Sequence, residues 1–235
     1  MRRICSICAR GGSKGVVNKN IRLIMGKPLI AHTILQAKES GCFDFIVVSS
    51  DSKEILNVSK DWGVDFIVKR PNKMASDQAA KLPAIQHCIR TIEEITSTKF
   101  DTIIDLDATS PLRNIDDIRR SIAKLESSND SNNLITAAPS RRSPYFNLVE
   151  LNNKGFVRRS KTLDNPIYRR QDSPSCFDMN ASIYIWKREA FYKNKTVLTD
   201  DTSLFIMPED RSVDIDSELD FEIVELLMKK QELNS

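Results

Sequence analysis

Through the first 140 residues, short β-branched apolar runs alternate with amphipathic segments, and no other feature restricts the fold so tightly. Such alternation is the mark of parallel strands joined by crossover helices. Strands are predicted over Ile4–Ala9, Phe45–Ser49, Asp65–Val68, Thr102–Leu106 and Leu134–Ala137. Helices are predicted near Leu29–Glu39, Lys53–Asp61, Lys81–Ile95 and Asp116–Glu126, with Pro28 in the first turn of its helix and Gly41 at the end. The reading is an α/β fold with a mainly parallel, Rossmann-like central sheet and flanking helices. A chain of 235 residues that is 40% hydrophobic suffices for one full core, or for one large domain with a smaller lobe.

The first predicted strand runs straight into Arg10-Gly11-Gly12-Ser13-Lys14-Gly15, with Asn18-Lys19-Asn20 close behind. Three glycines in five residues let the backbone turn tightly and aim N–H groups at phosphate oxygens, while Arg10, Lys14 and Lys19 bring positive charge to the same place. The spacing is neither that of the P-loop nor GxGxxG. A basic turn with no ligand satisfies the same residues.

Five cysteines, an odd number, do not form a disulfide framework, and no apolar amino-terminal stretch resembles a signal peptide or membrane span. A reducing cytoplasm is the expected setting. Cys5 and Cys8, three apart on an extended strand, point to opposite faces and cannot converge on a metal. His32 and His87 fall inside helix-like segments and read as packing or surface residues.

The alternation stops after Ala138. Pro139, Pro144, Pro166 and Pro174 punctuate a stretch that contains Tyr145-Phe146-Asn147-Leu148-Val149, before a clear strand at Ala181–Trp186. Residues 141–182 read as a β-rich insertion, a lobe for dimerisation or a lid, between the two parts (1–140 and 183–235) of the α/β domain. Arg141 to Arg170 holds eight Lys/Arg against two acids, a net +6 within a chain of +3, so the remainder carries −3. Such a surface suits nucleic acid or an anionic small molecule, or serves solubility.

Near the carboxyl terminus, Val213-Asp214-Ile215-Asp216-Ser217-Glu218-Leu219-Asp220 leads into an apolar-periodic helix. On an extended segment Asp214 and Asp216 share one face. Two adjacent carboxylates repel unless a cation lies between them, and oxygen ligands suit Mg²⁺. Equally, Asp216 or Ser217 caps the helix and the acids that follow favour its first turn. Asp105 and Asp107, ending the fourth central strand, pose the same alternatives. Asp107, Ser110 and Arg113 fall beyond a strand's carboxyl end, where open α/β sheets bind ligands.

Taken together, Ala9–Gly15 with Asn18–Asn20, Lys69-Arg70-Pro71 with Ala75-Ser76-Asp77, Thr109-Ser110-Pro111-Leu112-Arg113, Asn180–Ile185 and Asp214–Asp220 resemble the cytidylyltransferases that activate nonulosonic acids, the CMP-sialic acid synthetase family. The resemblance covers nearly the whole chain. Ile104–Ala108, Ser140-Arg141-Arg142 and Phe177–Asn180 look most similar to the branch that makes CMP-legionaminic acid. The resemblance implies attack of the anomeric hydroxyl of a nine-carbon 2-keto acid sugar on the α-phosphorus of CTP, with Mg²⁺ as cofactor and pyrophosphate as leaving group.

By the same resemblance, Arg10, Gly11, Ser13, Lys14 and Lys19 hold the triphosphate, with Asn20, Arg70 and Ser76 near the cytidine. Asp216 binds the metal, and Asp214 is a second ligand or the acceptor of the hydroxyl proton. Arg10, Lys19, Asp214 and Asp216 are thus the catalytic group. The sugar acid falls to Asp107, Ser110 and Asn180, and the +6 stretch offers Arg141, Arg142, Arg169 and Arg170 as partners for its carboxylate. In the family the corresponding lobe makes a homodimer and reaches toward the neighbouring site, which leaves these arginines acting either within or across subunits. Family members that use N-acetylneuraminate generally carry Gln-Pro where this chain has Asp107-Ala108, which implies a different acceptor or a different grip.

Two alternatives remain at this level. One is a cytidylyltransferase for N-acetylneuraminate, pseudaminic acid or a 3-deoxy-octulosonate. The other is a non-catalytic nucleotide- or RNA-binding α/β module. Against the second, the sequence has no RNP, KH or zinc-knuckle pattern and no arranged stacking aromatics, so neither a nucleic-acid nor a membrane partner is expected.

Overall fold

The computed structural model describes residues 1–12, 15–76, 78–165 and 168–233. In chain order the elements are β1 (Arg3–Cys8), a short hairpin of β2 (Leu23–Ile24) and β3 (Lys27–Pro28), α1 (Leu29–Ser40), β4 (Phe45–Ser50), α2 (Lys53–Asp61) and β5 (Phe66–Lys69). There follow α3 (Lys81–Thr96), β6 (Thr102–Leu106), α4 (Ile115–Glu126), β7 (Asn133–Pro139), β8 (Val149–Leu151), β9 (Val157–Arg159), β10 (Phe177–Lys187), α5 (Arg188–Lys193), β11 (Thr202–Ile206) and α6 (Glu218–Leu233).

One sheet carries the molecule, in the order β11-β7-β10-β6-β1-β4-β5. β1 runs parallel to β4 and β6, and β4 to β5, because each connection carries a crossover helix. β10 is antiparallel to both its neighbours, β6 and β7, while β11 returns parallel to β7. The mixed α/β architecture with a mostly parallel centre is therefore present, and its parallel strands deliver their carboxyl ends to one edge.

Local chemistry sets the helix limits. Ser52 caps α2 by accepting from the Ile55 N–H. Asn114 and Asp117 form a reciprocal capping box at the start of α4. Gly41 ends α1 in the left-handed region at φ 62°.

The central strands are buried on both faces. One core layer gathers Cys5, Ile7, Ile34, Ile104, Leu106, Ile118 and Ile122; the other gathers Ile4, Val47, Ile85, Ile89, Phe100 and Trp186. Cys5 belongs to the first layer, whereas Cys8 packs against the second, and all five cysteines are unpaired thiols. A third, smaller cluster joins distant parts of the chain: Val16, Ile24 and Leu29 meet Leu112, Ile215, Phe221 and Val224.

The region after β7 differs from the sequence reading. Within residues 141–182, read as β-rich, Tyr145–Asn147 forms turns, and β8 and β9 make a hairpin of two three-residue strands with exposed side chains. β10 begins at Phe177, earlier than expected, and its register against β7 shifts between Met179 and Tyr184. β11 was not anticipated. Its short, half-buried run lacks the continuous apolar pattern of the central strands, as suits an edge strand. No helix among the described residues is long and apolar enough to cross a membrane.

Candidate active site

The glycine turn leaves β1 at the carboxyl edge of the sheet and folds over the final acidic segment. A Cβ on Gly15 would collide with the Asp216 carbonyl oxygen, so only glycine lets the two backbones approach this closely. Beneath this contact Val16 and Ile215 are both buried in the third cluster, and Ile215 N–H donates to the Thr109 carbonyl at 3.0 Å. Arg22 adds an ion pair to Glu218 and lies over the Phe221 ring, 4.1 Å from its centroid.

These contacts border a cleft of about 530 Å³ lined by Arg10, Gly15, Lys19, Asn20, Arg70, Ser76, Lys81, Asp107, Thr109, Asp214 and Asp216, among others. Lys19 donates to the Ile215 carbonyl and to Asp216 Oδ1, the latter at 3.1 Å. Asn20 is buried; its Nδ2 donates to the Arg10 carbonyl, and its Oδ1 has no hydrogen-bond partner among the described residues. Arg70 reaches back to Ser49, donating to its carbonyl at 3.0 Å and to its hydroxyl. Gly11 closes the turn from behind, its N–H donating to Asp51. Ser13 and Lys14 lie outside the described residues.

The helix cap raised at the level of sequence is present, and it does not consume Asp216. Ser217 Oγ accepts from the Asp220 N–H while Asp220 Oδ2 accepts from Ser217, so Ser217 and Asp220 cap α6 between them. Asp216 is thereby left with its side chain 79% exposed toward the cleft. Burial, reinforced by the Asp216 charge, raises the pKa of Asp214 above its ordinary value.

The other wall belongs to β6. Asp107 Oδ1 accepts from the Thr109 N–H and hydroxyl, and Oδ2 accepts from Lys81 at 2.7 Å. Burial alone would raise this carboxyl; Lys81 and Thr109 reverse that and hold it at about 2. Lys81 also approaches Asp105 Oδ2 at 3.1 Å and lies 4.4 Å from the centroid of Tyr184. Sequence reasoning passed over Lys81. The available signal was a cation in the first turn of a helix, where the macrodipole disfavours it unless acids compensate.

Several expected sugar-binding residues do not line this cleft. Asn180 is 4% exposed: its Oδ1 accepts from the Thr136 hydroxyl and the Ser182 N–H, and its Nδ2 donates to Ser212. It thus fastens the register shift in β10, where Ala181 takes φ 53°. Ser110 is buried at 1% exposure, and Arg113 spends its guanidinium inside the protein on Gln36, Thr33, Ser182 and the Asp107 carbonyl. Arg142 and Arg170 line a separate hollow beside Ser140 and Cys176, Arg169 pairs with Asp172, and Arg141 sits on the same exposed loop.

A parallel-centred α/β sheet whose carboxyl edge holds a glycine turn, converging cations and a pair of carboxylates is the framework of a nucleotidyltransferase. The cytidylyltransferase family model matches residues 4–231, and the chain belongs to that family. It is 48% identical over 232 residues to post-translational flagellin modification protein B of Campylobacter coli, covering 99% of this chain and 97% of the relative. It is also 48% identical over 231 residues to the CMP-N,N'-diacetyllegionaminic acid synthase of Campylobacter jejuni, covering 98% and 97%. Among solved structures, a CMP:2-keto-3-deoxy-manno-octonic acid synthetase complexed with CTP superposes with a TM-score of 0.69 over 98% of this chain and all of that one, a likeness of fold at 16% identity.

Proposed function

We propose that this enzyme joins CTP to a nonulosonic acid, legionaminic acid or a derivative, and releases pyrophosphate. The observation that carries the reading is the meeting of the glycine turn and Lys19 with Asp214 and Asp216 around one cleft. The 48% identity to a CMP-N,N'-diacetyllegionaminic acid synthase supports the choice of acid.

The order of groups along the sheet edge supports an arrangement of the two substrates. Arg70 follows β5 and Asp107 follows β6, three strand spacings away, on the order of 14 Å. Arg70, Ser76 and Asn20 take the cytidine at one end. Arg10 and Lys19 neutralise the phosphates in the middle, with the N–H groups of the glycine turn beside them. The acid lies over Asp107 and Asp214, where its anomeric hydroxyl faces the α-phosphorus in line with the departing pyrophosphate. Transfer of this kind needs positioning and charge cancellation more than covalent help from the protein.

Asp214 and Asp216 are oxygen donors of the kind Mg²⁺ takes, and the described residues contain no group of three or more His, Cys, Asp or Glu that would cage a metal by themselves. That donor set fits an ion which uses one or two carboxylates and completes its shell with water and substrate phosphate. Bound there, Mg²⁺ supplies charge neutralisation on the phosphates. Asp216, the open member, is its principal donor. Asp214, the more enclosed member, is a second donor or the acceptor of the hydroxyl proton.

The assembly is a homodimer in the cytoplasm. Val149, Leu151, Phe156 and Val157 expose apolar surface on the β8–β9 hairpin, which suits a partner subunit. Arg141, Arg142, Arg169 and Arg170 then serve the acid's carboxylate across the interface. Five unpaired thiols accord with a reducing compartment.

Purified protein supplied with CTP and Mg²⁺ is offered legionaminic acid, pseudaminic acid, N-acetylneuraminate and a 3-deoxy-octulosonate in turn. The expected result is pyrophosphate release that is fastest with the legionaminic acid. No release with any acid, together with steeply salt-dependent RNA affinity, would overturn the reading in favour of a binding module.

A further inference from the structure

Lys81 is the cation of the cleft that the reading above leaves without a task. Its ammonium sits in the first turn of α3, against the helix dipole and largely out of water, and both circumstances are unfavourable. Asp107, Asp105 and the face of Tyr184 offset them and keep it charged. Buried ion pairs are often no better for stability than apolar side chains of similar volume. This one also faces the ligand space: the Lys81 and Asp107 side chains are 28% and 19% exposed, and both line the cleft.

The lone pairs of Asp107 show what the arrangement offers. A carboxylate has about four acceptor positions. Among the described residues, Oδ1 receives the Thr109 N–H and hydroxyl, and Oδ2 receives Lys81. One position on Oδ2 therefore remains, on a carboxylate immobilised further by Arg113 and Thr33 donating to its own carbonyl. An anionic acceptor repels phosphate and takes a neutral donor. Asp107 stands beside the Thr109–Ile215 contact that carries Asp214, three strands along the edge from Arg70.

We propose that Lys81 is a positioning residue for the acceptor acid: it fixes Asp107 so that the free lone pair on Oδ2 receives a hydroxyl or acylamino N–H of the sugar. This rests on the substrate pair and its orientation proposed above. The cytidine amino group is a donor of the same chemistry, and the two sources separate kinetically.

The test is steady-state pyrophosphate release by the full chain carrying Lys81→Met, Lys81→Arg, Asp107→Asn or both Lys81→Met and Asp107→Asn. Lys81→Met should raise KM for the acid tenfold to a hundredfold, as about one charge-assisted hydrogen bond implies, with kcat and KM for CTP within threefold of wild type. Lys81→Arg should restore most of the loss. The double variant should be no worse than the weaker single, because both act through one contact. An unchanged KM for the acid, or an equal rise in KM for CTP, would overturn the assignment. Should Lys81→Met fail to fold, Asp107→Asn carries the same test: a raised acid KM with CTP unaffected supports the proposal, and an unchanged acid KM overturns it. Absence of turnover by the wild-type enzyme with every acid would overturn the underlying reading and this proposal with it, whereas normal wild-type turnover with unaffected variants overturns this proposal alone.

Discussion

Lys19 and Asp216 stand 197 positions apart in the chain and 3.1 Å apart in space. The contact closes a ring from the first strand to the last helix, with Val16, Ile215 and Phe221 as its apolar floor. In the proposed arrangement, a triphosphate drawn to Lys19 is thereby brought beside Asp214 and Asp216. Separate lobes would have to find this relation on binding, whereas here it is folded in.

Replacing Asp216 by Asn should lower kcat about a hundredfold or more, since the principal oxygen donor proposed for Mg²⁺ is lost. Because the side chain is 79% exposed, thermal stability should change little. Pyrophosphate release measured against added Mg²⁺, with a melting curve alongside, checks both halves. Wild-type turnover would leave the segment with only its capping role.

Gly15→Ala should cost about 1–3 kcal/mol of stability together with most of the activity, because the new methyl occupies the place of the Asp216 carbonyl. Urea unfolding gives the first quantity and turnover the second. Gly12, with nothing near the corresponding position, should tolerate alanine far better.

Lys19→Ala should raise KM for CTP by roughly tenfold to a hundredfold and KM for the acid far less, a split that follows from the place proposed for it among the phosphate-facing cations. A loss confined to the acid would assign Lys19 to the other substrate.

Asp107 has a folded-state value of about 2 against an ordinary 3.8. The native state therefore binds fewer protons than the unfolded chain between those values, and stability from this group is present above pH 3.8 and lost as pH falls toward 2. The amount is about 2 kcal/mol. Asp107→Asn should flatten that part of the curve of unfolding free energy against pH; an unaltered acid limb would mean that the Lys81 contact does not depress this carboxyl.

Much of the framework was readable in the linear chain. The bounds of α2, Lys53–Asp61, and of β6, Thr102–Leu106, match the expected ones, because periodicity, caps and apolar runs are local signals. The glycine turn and the acid pair announced themselves by composition at fixed spacing. Asn180 did not: the motif around it names a place in the chain, but its amide is consumed by Thr136 and Ser182, partners set by how β10 pairs with β7. Lys81 was overlooked for the converse reason, since nothing adjacent in sequence shows that two acids from β6 await it.

The order of residues by itself determined the alternating elements, the phosphate-suited turn and the kinship these motifs carry, all of which depend on neighbours within a few positions. Only the tertiary structure decided that Gly15 must yield to Asp216, that Ser217 rather than Asp216 caps the last helix, and that Lys81 and Asp107 share one wall of the cleft. Those relations arise where loops from β1, β5 and β6 and the segment before α6 gather at a single sheet edge, and strand order is fixed by burial of both faces over the whole molecule rather than by any local pattern.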